Sequence, residues 1–177
     1  MKRILFLDID GVLNNGFADF SIESLSLIKR LIMENNAKVV MITSRQRSGT
    51  KVIRNKLANL MKNYDINGID FIDPNYEGDL CGIPIASRAL GIVDYLKNEE
   101  NLEYVILDDE YNRDYRLLCL NYYRTYNGLK NKDYSHINFK KVNKNNFKHV
   151  NYHYRKLGQF EQASNNLIKV LKQAINK

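Results

Sequence analysis

Cysteine and proline are scarce in this chain of 177 residues, with two of each. Two thiols, Cys81 and Cys119, cannot frame a disulfide-stapled domain, so the fold has to rest on an ordinary hydrophobic core. Long apolar runs are missing too. None approaches the ~18 residues of a membrane-spanning helix, which excludes a transmembrane helix. The apolar run at residues 4–7 is cut by Asp8, well short of the ~7–15 residues at the heart of a secretory leader. The expectation is a cytoplasmic protein with reduced thiols and no membrane partner. Acidic residues are rare in the last third: residues 111–177 hold 3 against 14 Lys and Arg, while residues 1–110 hold 17 against 13. The net charge of +7 is therefore divided into about −4 and +11. Such a split suits a surface facing a polyanion. It equally suits the Asn, Lys, Tyr and Ile excess that an AT-rich coding sequence imposes.

What is present is an average globular composition, 44% hydrophobic and 27% charged, in a length that favours one domain burying roughly two-thirds of its unfolded surface. Short apolar runs alternate with helical patterns. Residues 3–7, 38–43, 69–72, 104–107 and 122–125 read as strands. Residues 22–33, with Ser21 as N-cap, and residues 52–61, 85–96 and 114–120 read as helices. Strands separated by helices predict a doubly wound α/β fold with a mostly parallel sheet covered on both faces. We expect a core at residues 1–130 and a basic extension at residues 131–177 packed on it. In that extension, residues 137–142 and 147–152 alternate loosely and suggest a hairpin, and residues 157–175 carry the apolar stripe of an amphipathic helix.

In open sheets of this kind, ligands bind outside the carboxyl ends of the strands. Polar chemistry should then gather where apolar runs stop. It does so at Asp8-Ile9-Asp10, at Thr43-Ser44 and at Asp108-Asp109. Four carboxylates brought together would repel unless some stayed protonated or a cation intervened. A hard divalent ion such as Mg²⁺ suits an all-oxygen set and shares its shell with phosphate. The hydroxyls of Thr43 and Ser44, ahead of a helix start, are natural donors to phosphate oxygens. Residues and spacing thus point to metal-assisted phosphate chemistry, although strand-end acids also serve as helix caps.

The run Phe6-Leu7-Asp8-Ile9-Asp10-Gly11-Val12-Leu13-Asn14 resembles the first motif of the haloacid dehalogenase (HAD) superfamily. Val40-Met41-Ile42-Thr43-Ser44 resembles its second motif, and Val105-Ile106-Leu107-Asp108-Asp109 its fourth. Thr43 to Arg47, Arg88 and Gly128-Leu129 are further similar to small HAD domains of RNA-repair proteins. The run Ser44 to Thr50 is similar to the phosphatase domain of phage polynucleotide kinase. The resemblance implies a HAD-type phosphatase. Asp8 would be the nucleophile and Asp10 the general acid and base. Mg²⁺ would be held by Asp8, the Asp10 carbonyl and Asp109, with Asp108 acting through a water. Thr43 and Ser44 would bind phosphoryl oxygens. The third-motif Lys is missing, and Arg88 stands in for it as a phosphate clamp.

Too little chain separates the motifs to build a cap domain, so the site should be open and suited to a large phosphorylated substrate. The leading expectation is a Mg²⁺-dependent phosphomonoesterase acting on polynucleotide ends, with a 3′-phosphate preferred. A phosphatase for mononucleotides or other small phosphate esters is the alternative, and a non-catalytic nucleic-acid-binding HAD-fold protein is a second. Lys140, Lys141, Lys144 and Lys148 lie among aromatics, a pattern that suits single-stranded nucleic acid. It also suits solvated lysines on a hairpin whose aromatics face inward. His149 and His153 have ligand spacing only on a helix, and read as surface histidines. Cys119, among leucines, reads as core packing.

Overall fold

The computed structural model describes residues 1–14, 20–42, 51–72, 75–110 and 112–154. The phosphate-binding candidates Thr43 and Ser44 and the stripe at 157–175 lie outside them. The central sheet runs in the order β3 (Asp70–Phe71), β2 (Ala37–Met41), β1 (Lys2–Leu7), β6 (Leu102–Asp108), β7 (Tyr122–Arg124), and every one of these pairings is parallel. β1 and β6 sit at its centre, and their alternate residues face opposite ways. Ile4, Phe6, Tyr104 and Ile106 enter one core; Leu5, Leu7, Val105 and Leu107 enter the other. Burial on both faces is why these strands read as unbroken apolar runs rather than alternating ones.

Helix α1 (Ile22–Asn35) closes one core with Leu25, Leu27, Ile28 and Leu31. The Ser21 hydroxyl accepts from the Ser24 N–H at 3.3 Å, as the sequence predicts. Asn36, at φ 47°, turns the chain left-handed into β2. Helix α2 (Lys51–Lys62) precedes β3, and its Met61 is buried in the same core. Helix α3 (Ser87–Asn98) closes the opposite core and is buried almost all round.

The burial of α3 has a cause that sequence reading did not find. A second, three-stranded sheet, β5 (Ile83–Pro84), β4 (Tyr76–Leu80), β9 (Val150–Tyr154), packs over the outer side of α3. The Tyr76 and Tyr152 hydroxyls donate to the two oxygens of Asp94 on that helix, at 2.9 and 3.1 Å.

The expected hairpin of the extension does not form. Lys140–Lys141 (β8) pairs antiparallel with Tyr104 and Glu103 of β6, and β9 pairs with β4. The intervening 3₁₀ turn Lys144–Phe147 buries Phe147 in the α3 core, which pulls the two segments apart. Cys119 also departs from expectation. Helix α4 (Arg113–Leu117) is short, and Cys119 takes φ 50° just beyond it, which turns its side chain outward to an exposed position. The short helix α5 (Asn131–Tyr134) completes the described elements, and none of these helices is long and apolar enough to cross a membrane.

Candidate active site

Because β1 and β6 are parallel neighbours with Leu7 opposite Leu107, the residues that follow the two strands meet. The Asp8 N–H donates to the Leu107 carbonyl at 3.0 Å. Carboxylate oxygens of Asp8, Asp108 and Asp109 lie within 4.8 Å of one another. Asp8 is buried, and its Oδ1 has no hydrogen-bond partner among the described residues. Burial and the neighbouring Asp108 push its pKa up to about 7, against the opposing pull of Arg88 and the Ile9 N–H. Burial, with Asp108 next, also raises Asp109 above the usual carboxylate range. A buried oxygen left unpaired among like charges is what a cation would satisfy, and an all-carboxylate set matches Mg²⁺. The residues present fit that ion.

The three acids are held differently. Asp108 is fully buried, and both of its oxygens accept hydrogen bonds. Oδ2 accepts from Arg88 Nη1 and from the Tyr115 hydroxyl, each at 2.9 Å, and Oδ1 accepts from the Glu110 N–H at 3.0 Å. Such an oxygen set suits a group that positions its neighbours. Asp8 and the half-buried Asp109 keep their capacity for a cation.

Asp10 stands outside the carboxylate cluster found among the described residues. Its turn is clamped by the buried Asn14, whose Nδ2 donates to Asp10 Oδ1 at 3.3 Å and whose Oδ1 accepts the Gly11 N–H at 3.0 Å. From the other side, the Thr125 hydroxyl and the Gly128 N–H both donate to the Gly11 carbonyl, at 2.8 and 2.9 Å. Gly11 has φ +68°, and a Cβ there would run into the Asp109 carboxylate. Gly11→Ala is therefore strained in its backbone and displaces Asp109. We expect turnover to fall about 100-fold or more, the cost of an ångström-scale misplacement, while far-UV circular dichroism is retained. Near wild-type turnover would show that the position of Asp109 is not critical.

The sequence-predicted residues thus divide. Asp8, Asp108, Asp109 and Arg88 converge. Arg88, the second residue of α3, is buried and paired with Asp108, and its Nη1 stands 3.7 Å from Glu110. Burial alone would lower its pKa, but the negative charge of Asp108 beside it holds it above the ordinary value. Lys140, Lys141 and Lys144 do not join the site. The first two lie opposite the N-terminal half of β6, four or five residues from Asp108, or roughly 13–17 Å along a strand. Lys144 donates to the carbonyl of Lys97, near the end of α3 remote from Arg88. In the same region Glu99 pairs with Lys2 and Glu103 with Arg3. Lys148 is exposed beyond the 3₁₀ turn. His153 faces Glu77 across the β9–β4 pair at 3.9 Å.

Sequence reasoning missed Tyr115, Asn14 and Arg124. Asn14 carried a faint signal, its spacing of four from Asp10. Tyr115 carried none, because only the packing of α4 brings its hydroxyl to Asp108.

Together, the parallel sheet, the flanking helices and the carboxylates at the ends of β1 and β6 define a HAD Rossmannoid α/β domain. No cap domain covers the cluster among the described residues. Residues 4–133 match the family described as the HAD domain in Swiss Army Knife RNA repair proteins. The chain belongs to that family, whose wider superfamily is generally hydrolytic and rich in phosphatases. No curated protein and no solved structure matches it.

Proposed function

We propose that the protein is a Mg²⁺-dependent phosphomonoesterase acting on polynucleotide ends, with a 3′-phosphate as the preferred group. The observation that carries this reading is the buried Oδ1 of Asp8, unpaired among the described residues and beside Asp108 and Asp109. No cap covers the strand ends among the described residues, which supports a substrate too large to enclose, and the family's link to RNA repair supports a nucleic-acid end.

Asp8 attacks phosphorus, and the bond from phosphorus to the leaving oxygen breaks as an aspartyl-phosphate forms. Asp10 gives its proton to that leaving oxygen. The Asp10 carboxylate then takes a proton from water, whose oxygen attacks phosphorus. The Asp8–phosphorus bond breaks and inorganic phosphate departs. Asn14 holds the Asp10 turn in place through both steps. Asp8, Asp109 and the Asp10 carbonyl would hold Mg²⁺, which would supply positive charge to offset that of the phosphoryl group. Asp108 fixes the Arg88 guanidinium, which adds a second positive charge next to Asp8. Thr43 and Ser44 supply hydroxyl donors to the phosphoryl oxygens.

A phosphate-release panel tests the reading. Oligonucleotides phosphorylated at either end, mononucleotides and sugar phosphates are compared with Mg²⁺ and with chelator. The 3′-phosphorylated oligonucleotide should give the highest kcat/KM, and chelator should abolish release from all. Preference for mononucleotides or sugar phosphates would replace the polynucleotide reading with the small-ester one. Oligonucleotide binding without release from any substrate would favour a non-catalytic role, against the intact Asp8 and Asp10 pair.

A further inference from the structure

We infer that Tyr126, backed by Arg124, is a stacking platform for the nucleobase of the nucleotide that carries the scissile phosphate. The inference deepens the proposed phosphomonoesterase reading and rests on it. Arg124 is the last residue of β7 and lies opposite Asp108 in the β6 register. Its Nε donates to the Asp109 carbonyl at 2.8 Å, and the next residue, Thr125, donates its N–H to the Asp108 carbonyl at 3.0 Å. The Thr125 hydroxyl and the Gly128 N–H tie the same loop to Gly11. Tyr126 is therefore carried on a loop bonded to both acidic turns of the site.

The Tyr126 side chain nonetheless points into solvent, 68% exposed, an unusual state for a large aromatic flanked by residues this well anchored. Asn127 and Gly128 follow with φ of 55° and 88°, a left-handed pair that turns the chain sharply beyond the ring. The Arg124 guanidinium lies 4.8 Å from the ring centroid, and its Nη1 donates to the Tyr126 hydroxyl at 3.4 Å. A flat aromatic surface is thus carried on a loop bonded to both acidic turns, with a cation over its ring.

That pairing has a natural ligand class. Every nucleobase has a π-face that stacks on an aromatic ring or a guanidinium, and one such stack is worth about 5- to 150-fold in affinity. Sugar phosphates and other non-aromatic esters have no flat face to offer. The platform would therefore select nucleotide ends without reading which base they carry, as an enzyme acting on many different ends requires.

Binding is measured with the Asp8→Asn protein, which leaves the ligand intact, in the presence of Mg²⁺. The probes are two 3′-phosphorylated oligonucleotides, one ending in 2-aminopurine and the other in an abasic site. The expected result is quenching of the terminal 2-aminopurine and an affinity at least 5-fold tighter than for the abasic end. Adding Tyr126→Ala should abolish the quenching and bring the ratio of the two affinities close to 1, whereas Tyr126→Phe should preserve both. Equal affinity for the two ends while Tyr126 is present would overturn the platform. So would a Tyr126→Ala loss that is the same for both. Failure of the parent reading looks different: quenching and the affinity ratio would persist while the wild-type chain released no phosphate from any oligonucleotide.

Discussion

Asp8→Asn should lower phosphate release by at least ~10⁴-fold, the scale seen when a nucleophile is removed from a covalent mechanism, and yet yield a more stable protein. The two effects have one origin. In the absence of metal, the Asp8 carboxyl is buried beside two other acids, and its pKa stands at about 7 against an ordinary 3.8. Because the folded value is the higher one, the folded chain holds a proton that the unfolded chain has released between about pH 4 and 7. Its contribution to stability is intact near pH 4 and falls away as pH rises through 7. A shift of that size corresponds to about 4 kcal/mol. The Asn amide avoids the charge but leaves a buried polar group short of partners, which costs about 1–3 kcal/mol.

The expected net gain is about 2 kcal/mol at pH 8, or a Tm some 5 °C above wild type for a chain of this size, in chelator. The difference should vanish between about pH 5 and 6 and reverse by pH 4, where the wild-type carboxyl is neutral and only the amide's cost remains. Mg²⁺ should raise the wild-type Tm at pH 8 and raise that of Asp8→Asn much less. Thermal melts in chelator and in Mg²⁺ across pH 4–8, beside a phosphate-release assay, check all of this. If Asp8→Asn were no more stable than wild type at pH 8, the buried charge would already be neutralised by groups of the chain itself. If it kept wild-type turnover, the covalent route would be wrong.

Much of this was legible in the sequence because the central strands obey local rules. Residues 4–7 and 104–107 are apolar without alternation, and burial on both faces demands that. Each ends on an acid, so the meeting of Asp8 with Asp108 follows once the strands are parallel neighbours in register. The second sheet was not legible. Tyr76-Glu77-Gly78-Asp79-Leu80 carries three residue types that disfavour strands, and its stability comes from non-local pairing with Val150–Tyr154. Gly78 held the one clue. A Cβ there would strike the Asn151 carbonyl, so the glycine marks a close approach of two backbones.

Composition does not say where Lys140 and Lys141 lie relative to the carboxylates. Pairing with Tyr104 and Glu103 sends them to the end of the sheet away from the carboxylates. What the sequence concealed at the other end is Arg124 and Tyr126, which sit in an unremarkable stretch until β7 aligns Arg124 with Asp108.

Arg88→Ala should be the most destabilising single substitution at the site. The guanidinium and the Asp108 carboxylate are both buried, with side chains 8% and 0% exposed, and Nη1 and Oδ2 are 2.9 Å apart. Removing one partner of such a pair leaves a charge in a poorly solvated place, at a cost of about 3–5 kcal/mol. For a domain of this size that is a Tm loss of roughly 10 °C. The Tyr115 hydroxyl and the Glu110 N–H still donate to Asp108, so the charge is left short of one donor rather than stripped of all. Arg88→Ala/Asp108→Asn should therefore recover part of the loss, because the stranded charge is gone. Arg88→Lys keeps the charge but cannot reproduce the planar fork, so it should fall between wild type and Arg88→Ala in stability. In kinetics, Arg88→Lys should lower kcat/KM less than Arg88→Ala does, since it keeps a positive charge near Asp8 and loses only the planar fork. Urea melts of wild type, Arg88→Ala, Asp108→Asn and Arg88→Ala/Asp108→Asn form a double-mutant cycle that isolates the pair. A coupling near zero would mean that Arg88 and Asp108 are stabilised by their separate surroundings. The substitute for the missing third-motif lysine would then have to be sought elsewhere.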